Sequence, residues 1–494
     1  MASSTRGIQA FGGNMPFLGG RRIASVYGER YTDWLTEIYG GTGDTDYVGY
    51  FFHRAAELMT PSGTMGFIAT NSIAEGDNRR TVLARMVEEE QPFEIYAATT
   101  GVPWPGSAQV LVSTLHLSRA LPAHSTSKKL LDGRPVARIN SRLRLGKEWP
   151  EPTPLPENAG LALVGCFLRG EGFLLSPAEA HTFLTEHPEE AAVIKPFLVG
   201  DDLNNSAGQQ AQRFVIDFRD WSLEEAACFP YALAILDERV RPQRERLKST
   251  GADADHRRYW WRFANTRREL REQAERMPRF LATGRVSKHS TFAFVPSDWT
   301  PSEQVVVFPL PNATAFAVLQ SRVHRIWVEL QATHMGEGLR YSAGECFAPF
   351  PFPDRDPRAV IPSLVAVGEE LYSARAEFMR KRGLGMTQTY NLLLDLDSDD
   401  ADIEFLRRCH EDLDRVVLKA YGWSDVEVPR YEGTATAEFA DTVAGQLFEL
   451  NAQRASSSVQ REGPGLRQTR GLKGPGTKKS AVNAVSDNKR RMAK

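Results

Sequence analysis

Strand and helix signals alternate regularly over residues 1–118, and this alternation constrains the fold more than any other feature. The apolar run Gly7–Phe11 predicts a short buried strand that leads into a glycine-rich turn, Gly12–Gly20. Residues 46–59 carry apolar side chains at helical spacing, and the run Met65–Ile73 predicts a second buried strand. A helix over 79–90 and strands over 94–100 and 109–118 follow. This order predicts an α/β sheet whose faces are covered.

The rest of the chain divides by composition into four further segments. The stretch 119–158 is basic and then rich in proline, which is typical of an extended linker. Residues 159–353 mix short strands with helices, and residues 354–450 have a mainly helical pattern. From 451 to 494 the chain is rich in Ser, Gly, Lys and Arg, which predicts a disordered basic tail.

Composition excludes several classes of protein. No run of about eighteen apolar residues occurs, so a membrane span is not expected. The N-terminal segment has no long apolar core and no cleavage pattern, which favours a cytoplasmic protein over a secreted one. The four cysteines are far apart and the histidines have no ligand spacing, so neither a disulfide framework nor a metal site is predicted.

The segment 239–288 is strongly basic, with fifteen Lys and Arg residues against six Asp and Glu, although the net charge of the whole chain is −2. Phosphate contacts depend on local charge, so this segment is a candidate DNA-binding surface. Trp260 and Trp261 interrupt the arginines and are expected in the core. The candidate phosphate contacts are Arg257, Arg258, Arg262 and Lys288. A solvated charged face is the competing interpretation.

The turn Asn14-Met15-Pro16-Phe17 has the groups that methylation of an adenine amine requires. The amine lone pair is delocalised into the ring, and two acceptors for its hydrogens favour a tetrahedral nitrogen that can be methylated. The Asn14 amide oxygen and the Met15 carbonyl can supply those acceptors, Pro16 stiffens the turn, and Phe17 can stack on a base that has left the duplex. The alternative is an ordinary glycine-rich turn that ends a strand.

The turn and the sequence around it resemble a known family. GGNMPFLGG resembles the N-P-P-F/Y motif of amino-directed DNA methyltransferases, and MGFIATNSIAEGDNRRTVL resembles the stretch that follows this motif in the MmeI-like (type IIL) restriction–modification enzymes. GCFLRGEGFLL, VIKPFLVGDDLNN, RVSKHSTFAF, FAVLQSRVHRIW and RYSAGECFAPFPFP resemble the family's target-recognition region in the same order. The resemblance covers residues from about 10 to 425.

The resemblance implies a fold, a cofactor and a partner. Residues 1–118 would form the C-terminal half of a class I (Rossmann-like) methyltransferase sheet, 159–353 a mixed α/β target-recognition domain, and 354–450 a helical C-terminal region. S-adenosylmethionine would be the methyl donor and double-stranded DNA the substrate. Glu337 and Arg340 would read base edges, since Glu accepts from cytosine and Arg bonds guanine in a bidentate way. A surface salt bridge between these two residues is the alternative.

Two departures from the family pattern affect the predicted activity. Met15 stands where the family has its first proline, so we expect a less rigid turn and reduced activity. Only thirteen residues precede Asn14, so neither the glycine-rich cofactor loop nor the upstream nuclease domain of the family is expected in this chain. A separate polypeptide that supplies the cofactor-binding half, a truncated reading frame and a misplaced start codon would each explain this. A DNA-binding specificity protein without catalysis is the rival prediction.

Overall fold

The computed structural model describes residues 7–88, 93–105, 110–119, 129–335, 338–431 and 436–461. The first strands form a six-stranded sheet in the order β1-β2-β4-β3-β5-β6. These strands are Ile8–Asn14 (β1), Met59–Thr70 (β2), Glu94–Pro103 (β3), Leu111–Ser118 (β4), Lys129–Leu131 (β5) and Arg134–Val136 (β6). β1 runs parallel to β2, whereas β4 runs antiparallel to both of its neighbours. The mixed α/β sheet predicted for the first region is therefore present.

Helices between these strands cover the sheet. They are Gly20–Tyr27 (α1), Glu29–Tyr39 (α2), Tyr47–Leu58 (α3), Gly76–Arg79 (α4) and Arg85–Glu88 (α5), and a π-helical turn, Arg80–Ala84, joins the last two. Phe52 of α3 packs edge-on against Phe67 of β2, with ring centroids 5.0 Å apart. A side chain at Gly49 would come within 2.6 Å of Val82, so the glycine allows α3 to pack closely on the π-helical turn. These contacts build a core beneath the carboxyl ends of the strands.

The stretch 119–158 is not the extended linker that its composition predicts. β5 pairs in parallel with β3, and β6 completes the sheet beside it. Ile139 and Leu143 belong to the core of the sheet, whereas Trp149 is buried in the core of the following region. Strands of three residues are too short to give a periodic signal, and their pairing partner lies about thirty residues away in the sequence. Residues 120–128 lie outside the described part of the chain.

The target-recognition region predicted for 159–353 contains two four-stranded sheets, β14-β9-β10-β8 and β13-β11-β15-β7, and one three-stranded sheet, β12-β17-β16. Its strands are Leu163–Val164 (β7), Leu174–Leu175 (β8), Ile194–Leu198 (β9), Phe214–Ile216 (β10), Arg279–Gly284 (β11), Val286–Ser287 (β12), Ala293–Pro296 (β13), Thr300–Pro301 (β14), Val305–Phe308 (β15), Thr333–Met335 (β16) and Gly338–Arg340 (β17). Its helices are Pro177–Glu186 (α6), Gly200–Asn205 (α7), Leu223–Ala226 (α8), Pro230–Arg239 (α9), Arg241–Glu245 (α10), Ala252–Arg258 (α11), Arg268–Ala274 (α12), Ala313–Gln320 (α13) and Arg322–Gln331 (α14).

The C-terminal region is helical, as predicted, but it is not separate from the preceding region. Its helices are Pro362–Arg382 (α15), Met386–Leu393 (α16), Ala401–Tyr421 (α17) and Ala437–Arg461 (α18). Trp327 of α14 lies in one hydrophobic core with Leu413 of α17 and Phe448 of α18. The buried carboxylate of Asp414 accepts hydrogen bonds from the backbone N–H and guanidinium of Arg322, at 2.8 and 2.5 Å. The predicted boundary at 353 is thus a change in secondary structure inside one packed unit.

The predicted start of the disordered tail, at residue 451, is wrong, because the last helix continues past it. α18 continues to Arg461, ten residues past the predicted start at 451, because Asn451 and Arg454 are buried against the chain. Asn451 donates to the carbonyls of Thr153 and Pro349, at 2.9 and 2.6 Å. Residues 462–494 lie outside the described part of the chain.

All four cysteines are free thiols, and three of them are buried. Within the described residues, no cluster of His, Cys, Asp and Glu side chains has the arrangement of a metal site. None of the helices in those same ranges combines the length and the apolar character that crossing a membrane requires.

Candidate functional site

The turn predicted to bind adenine follows β1 at the carboxyl edge of the sheet. Asn14 is the last residue of β1 and pairs with Ile68 of the parallel strand β2. Asn14, Pro16 and Phe17 are exposed, whereas Met15 is half-buried and packs against the core of the sheet. The Met15 side chain thus anchors the turn where the family has a proline. No described residue hydrogen-bonds to the Asn14 side chain, so its amide is available to a ligand.

A second aromatic residue, not predicted from the sequence, stands beside this turn. Trp104 directly follows β3, and its ring meets that of Phe17 edge-on, with centroids 5.6 Å apart and planes at 77°. The backbone N–H of Trp104 donates to the carbonyl of Val110 at 3.0 Å, which joins the end of β3 to the start of β4. The only local signal is an aromatic residue between Pro103 and Pro105 at the end of a predicted strand. Two aromatic rings therefore meet at the edge of the sheet where β1 and β3 end.

Asn71 ties together the ends of three strands at the same edge. Its side-chain oxygen accepts from the Ser113 hydroxyl at 2.7 Å and from the Gly101 N–H at 3.3 Å. A cavity of about 820 Å³ runs from here across the edge of the sheet to the start of α18. Asp441 lies in its wall, where burial raises its pKa to about 6 although Arg144 and the Leu145 N–H oppose the shift. The carboxyl edge of the sheet is thus an open, polar region bounded by α18.

The three-stranded sheet of the target-recognition region brings basic residues together. Arg340 of β17 pairs across the ladder with Val286 of β12, and Lys288 follows β12 directly. Arg340 and Arg285 both line a cavity of about 500 Å³. Burial lowers the pKa of Arg285, and the nearby guanidinium groups of Arg340 and Arg267 lower it further. In the part of the chain that the structure describes, no carboxylate pairs with Arg340. The carboxylates of Asp201 and Glu303 line the same cavity, so its charge is mixed, and the guanidinium of Arg340 suits a guanine-like ligand.

Arg285 was not predicted from the sequence, and one predicted residue cannot be placed. Arg285 lies within the basic segment, but the clustering depends on pairing between β12 and β17, which are about fifty residues apart. Glu337 lies outside the described residues, between Met335 and Gly338. Its predicted role as a base reader therefore stays a prediction.

The remaining predicted DNA contacts surround a different hydrophobic cluster. Trp261 is buried, as expected, and its indole N–H donates to the Trp221 carbonyl at 3.0 Å. Arg262 donates through Nε to the same carbonyl at 2.8 Å and lies 4.5 Å above the Tyr259 ring. Its predicted phosphate contact stays a prediction. Arg257 and Arg258 are exposed at the end of α11. Trp260 is only half-buried.

Charged groups join the six-stranded sheet to the segment that carries Arg340. Arg80, at the start of the π-helical turn, donates to Asp77 at 2.8 Å and to Glu345, five residues beyond Arg340, at 2.9 Å. Arg79 is buried beside it and pairs with Glu151, and burial lowers the pKa of Arg79 to about 10. Thr333 of β16 lies against Gly76, at the start of α4. β16 and the segment after β17 are therefore held next to α4 and the π-helical turn.

The comparisons with known proteins agree with this arrangement. Residues 8–125 match the model of the MmeI DNA-methyltransferase domain, and residues 160–354 match that of the MmeI target recognition domain. The chain is 22% identical over 430 residues to DNA methyltransferase A of Bacillus subtilis (strain 168), which covers 83% of this chain and 45% of that protein. The structure of the type IIL restriction-modification enzyme MmeI in complex with DNA superposes with a TM-score of 0.63 at 18% identity, over 90% of this chain and 57% of MmeI. The chain thus spans about half the length of these relatives.

Proposed function

Since the chain carries an MmeI-like DNA-methyltransferase domain followed by an MmeI-like target recognition domain, we propose that it methylates the exocyclic amine of adenine within a specific site of double-stranded DNA. The methyl donor would be S-adenosylmethionine, and the setting a restriction–modification system. The observation that carries the proposal is the exposed amide of Asn14 at the end of β1, beside the ring pair of Phe17 and Trp104.

Each residue of the turn has a chemical role in this proposal. The Asn14 amide oxygen and the Met15 carbonyl accept hydrogen bonds from the two amine hydrogens of a flipped adenine. Those bonds draw the amine out of conjugation and direct its lone pair towards the methyl donor. Phe17 stacks on the adenine ring, which offsets part of the cost of unstacking the base from the duplex. The half-buried Met15 side chain keeps the carbonyl in place without the proline of the family motif.

The described residues do not by themselves fit S-adenosylmethionine. β1 is the end strand of the sheet and has a partner on one side only, and its residues are mostly exposed. On the free side of β1, the described residues supply no further strand, and so none that leads through a glycine-rich turn into a helix. The proposal therefore has a cofactor-binding segment outside the described residues add along the free edge of β1, where backbone N–H and C=O groups can form a ladder.

The target-recognition region chooses the DNA site in this proposal. Arg340 reads a base pair from the three-stranded sheet, together with Glu337, and Lys288 neutralises a phosphate beside them. Arg257 and Arg258 are exposed and contact the backbone elsewhere on the duplex. Arg262, whose guanidinium is already engaged by Trp221, supports this surface from behind.

A second candidate is a DNA-binding specificity protein that has no catalytic activity of its own. The observation in its favour is the poor fit of the described residues to the methyl donor. Both candidates predict sequence-specific binding to DNA, and only the first predicts methyladenine in the product.

Sequencing of modified bases in host DNA separates the two candidates. Cells without endogenous adenine methylation would express the wild-type chain or Asn14→Ala, each with and without the neighbouring genes. We expect methyladenine at one defined sequence with the wild type, and a loss of about 100-fold or more with Asn14→Ala. Binding of the purified proteins to DNA should be equal. Unmodified DNA in every wild-type culture would favour the specificity protein, and equal methylation by the variant would refute the role of Asn14.

The purified chain also tests the assignment of the cofactor site. We expect no stoichiometric binding of radiolabelled S-adenosylmethionine to the chain alone. Stoichiometric binding would show that the described fold needs no added segment along β1.

A further inference from the structure

The carboxylate of Asp46 connects three separate segments at the carboxyl edge of the sheet. Its Oδ1 accepts from the Gly20 N–H at 3.2 Å. Its Oδ2 accepts from the Ser72 hydroxyl at 2.7 Å and from the Asn78 side-chain amide at 2.8 Å. The Asn78 oxygen accepts in return from the Asp46 N–H at 2.6 Å. One half-buried acidic side chain therefore joins the start of α1, the loop after β2, and α4.

These contacts are not the usual ones for an aspartate at this position. Asp46 is the residue before α3, where an aspartate ordinarily accepts from the free N–H groups of its own helix. Here its side chain makes no such bond and reaches 26 residues back to Gly20 instead. The carboxylate therefore does not cap α3. It binds Gly20, in the segment that follows the turn.

The turn is consequently fixed at both of its ends. At one end, Asn14 is held by the register between β1 and β2. At the other end, the Leu18 carbonyl accepts from the Tyr47 N–H at 2.9 Å, and Gly20 is held by Asp46. A side chain at Gly20 would come within 2.6 Å of the backbone of Asp44 and Thr45, so this end is closely packed as well. Only the residues between Asn14 and Leu18 are left to form the adenine-binding surface.

We propose that Asp46 is a positioning residue for the turn Asn14–Phe17 and acts on methyl transfer through Gly20 rather than by touching the substrate. This inference rests on the proposed function of the turn. A carboxylate is required because Asp46 accepts at both oxygens, and an ionised acceptor forms stronger bonds than a neutral one. An asparagine would direct an N–H₂ group towards Asn78 or Gly20, both of which are themselves donors.

The test compares Asp46→Ala and Asp46→Asn with the matched control Asp44→Asn. Asp44 lies two residues away and pairs at 2.6 Å with the exposed side chain of Arg21, so its variant changes the same charge without releasing Gly20. Hydrogen exchange of the whole chain, followed by mass spectrometry, reports on the peptide that covers residues 15–22. Methyladenine sequencing and DNA-binding titrations report on function.

We expect exchange in residues 15–22 to become about tenfold faster in both Asp46 variants and to stay at the wild-type rate in Asp44→Asn. Methylation should fall about tenfold or more while the Kd for DNA stays within about twofold. General unfolding would instead reduce methylation and DNA binding together. Unchanged exchange, or an equal loss of methylation and binding, would overturn the positioning role. If the wild type leaves host DNA unmodified, the proposed methyl transfer fails, and the exchange measurement alone still decides whether Asp46 holds the turn.

Discussion

The ring of Phe17 stands edge-on to the indole of Trp104, with the centroids 5.6 Å apart and the planes at 77°. A flat base that stacks on Phe17 must occupy space that the edge of Trp104 now borders. Phe17 is 37% exposed, so its ring can receive a base on the open side without crossing the core. Phe17 follows β1 and Trp104 follows β3, and the two rings meet because both strands end at the same edge of the sheet.

Trp104→Ala should lower the rate of methyl transfer more than it lowers affinity for duplex DNA. An aromatic contact to an unstacked base contributes on the order of 1–3 kcal/mol, so we expect kcat to fall about tenfold or more. Trp104→Phe keeps a ring and should retain most of the activity. Single-turnover kinetics and a DNA-binding titration measure the two effects. Normal kcat in Trp104→Ala would show that the indole does not contact the base.

Arg340→Ala should alter the recognised sequence at one base pair. A bidentate contact to guanine distinguishes bases by about 1–3 kcal/mol, so the variant should tolerate other bases there while its salt dependence is unchanged. Binding to a library of randomised duplexes at several salt concentrations measures both properties. A uniform loss over all sequences, with a shallower salt slope, would instead make Arg340 a phosphate contact.

Arg257, which is exposed near the end of α11, is proposed to contact a phosphate and not a base, so Arg257→Ala should behave differently from Arg340→Ala. As a phosphate contact it should weaken binding to every sequence and reduce the salt slope by about one. The same duplex library serves as the readout. A changed sequence preference would move Arg257 from the backbone to a base edge.

The free energy of unfolding should fall as the pH rises from about 4 to about 6, because Asp441 loses its proton over this range. Burial raises its pKa to about 6 in the folded protein, above the ordinary aspartate value of 3.8, so the folded state binds the proton more tightly than the unfolded state does. The stabilisation from that proton is present below the unfolded pKa and is lost as the pH passes the folded one. Asp441→Asn should remove this part of the pH dependence. Urea unfolding of both proteins between pH 4 and pH 7 measures it, and parallel curves would contradict the assignment.

Asp414→Ala should destabilise the chain by about 3–5 kcal/mol, because it leaves the buried guanidinium of Arg322 without its carboxylate. Since the pair joins α14 to α17, unfolding of the target-recognition region and of the C-terminal helices should shift together. Calorimetry of the full chain, with Asp412→Ala on the exposed side of α17 as control, tests this expectation. Two separate transitions, only one of which moves, would show that the regions unfold independently.

The elements that the sequence predicts best are those whose signal is local. The strand at Gly7–Phe11, the helix over 46–59 and the three later strands of the first region each have a strong apolar pattern, and the structure confirms them as β1, α3, β2, β3 and β4. The predicted burial of the first strand is wrong, because β1 is an end strand whose residues are mostly exposed. Trp261 was likewise assigned correctly to the core. Here the residues that define an element are adjacent in the chain, so the periodicity of the side chains suffices.

The features that were missed depend on pairing between distant segments. β5 and β6 are too short to show a pattern and become strands only because β3 offers a free edge. The cluster of Arg267, Arg285 and Arg340 requires the ladder between β12 and β17, and the pair Phe17–Trp104 requires the order of the whole sheet. The extension of α18 to Arg461 follows from contacts of Asn451 with residues 298 and 102 positions earlier.

The core shared by α13, α14, α15, α17 and α18 bears on how the proposed specificity of this chain could be exchanged with that of a relative. A chimera joined near residue 353 would pack Trp327 against helices of the relative in place of those that carry Leu413 and Phe448, so the two apolar surfaces would no longer be matched. Such hybrids should aggregate, whatever the compatibility of their DNA sites. A functional transplant has to include the helices through Arg461, or else alter only the side chains around Arg340 on the existing scaffold.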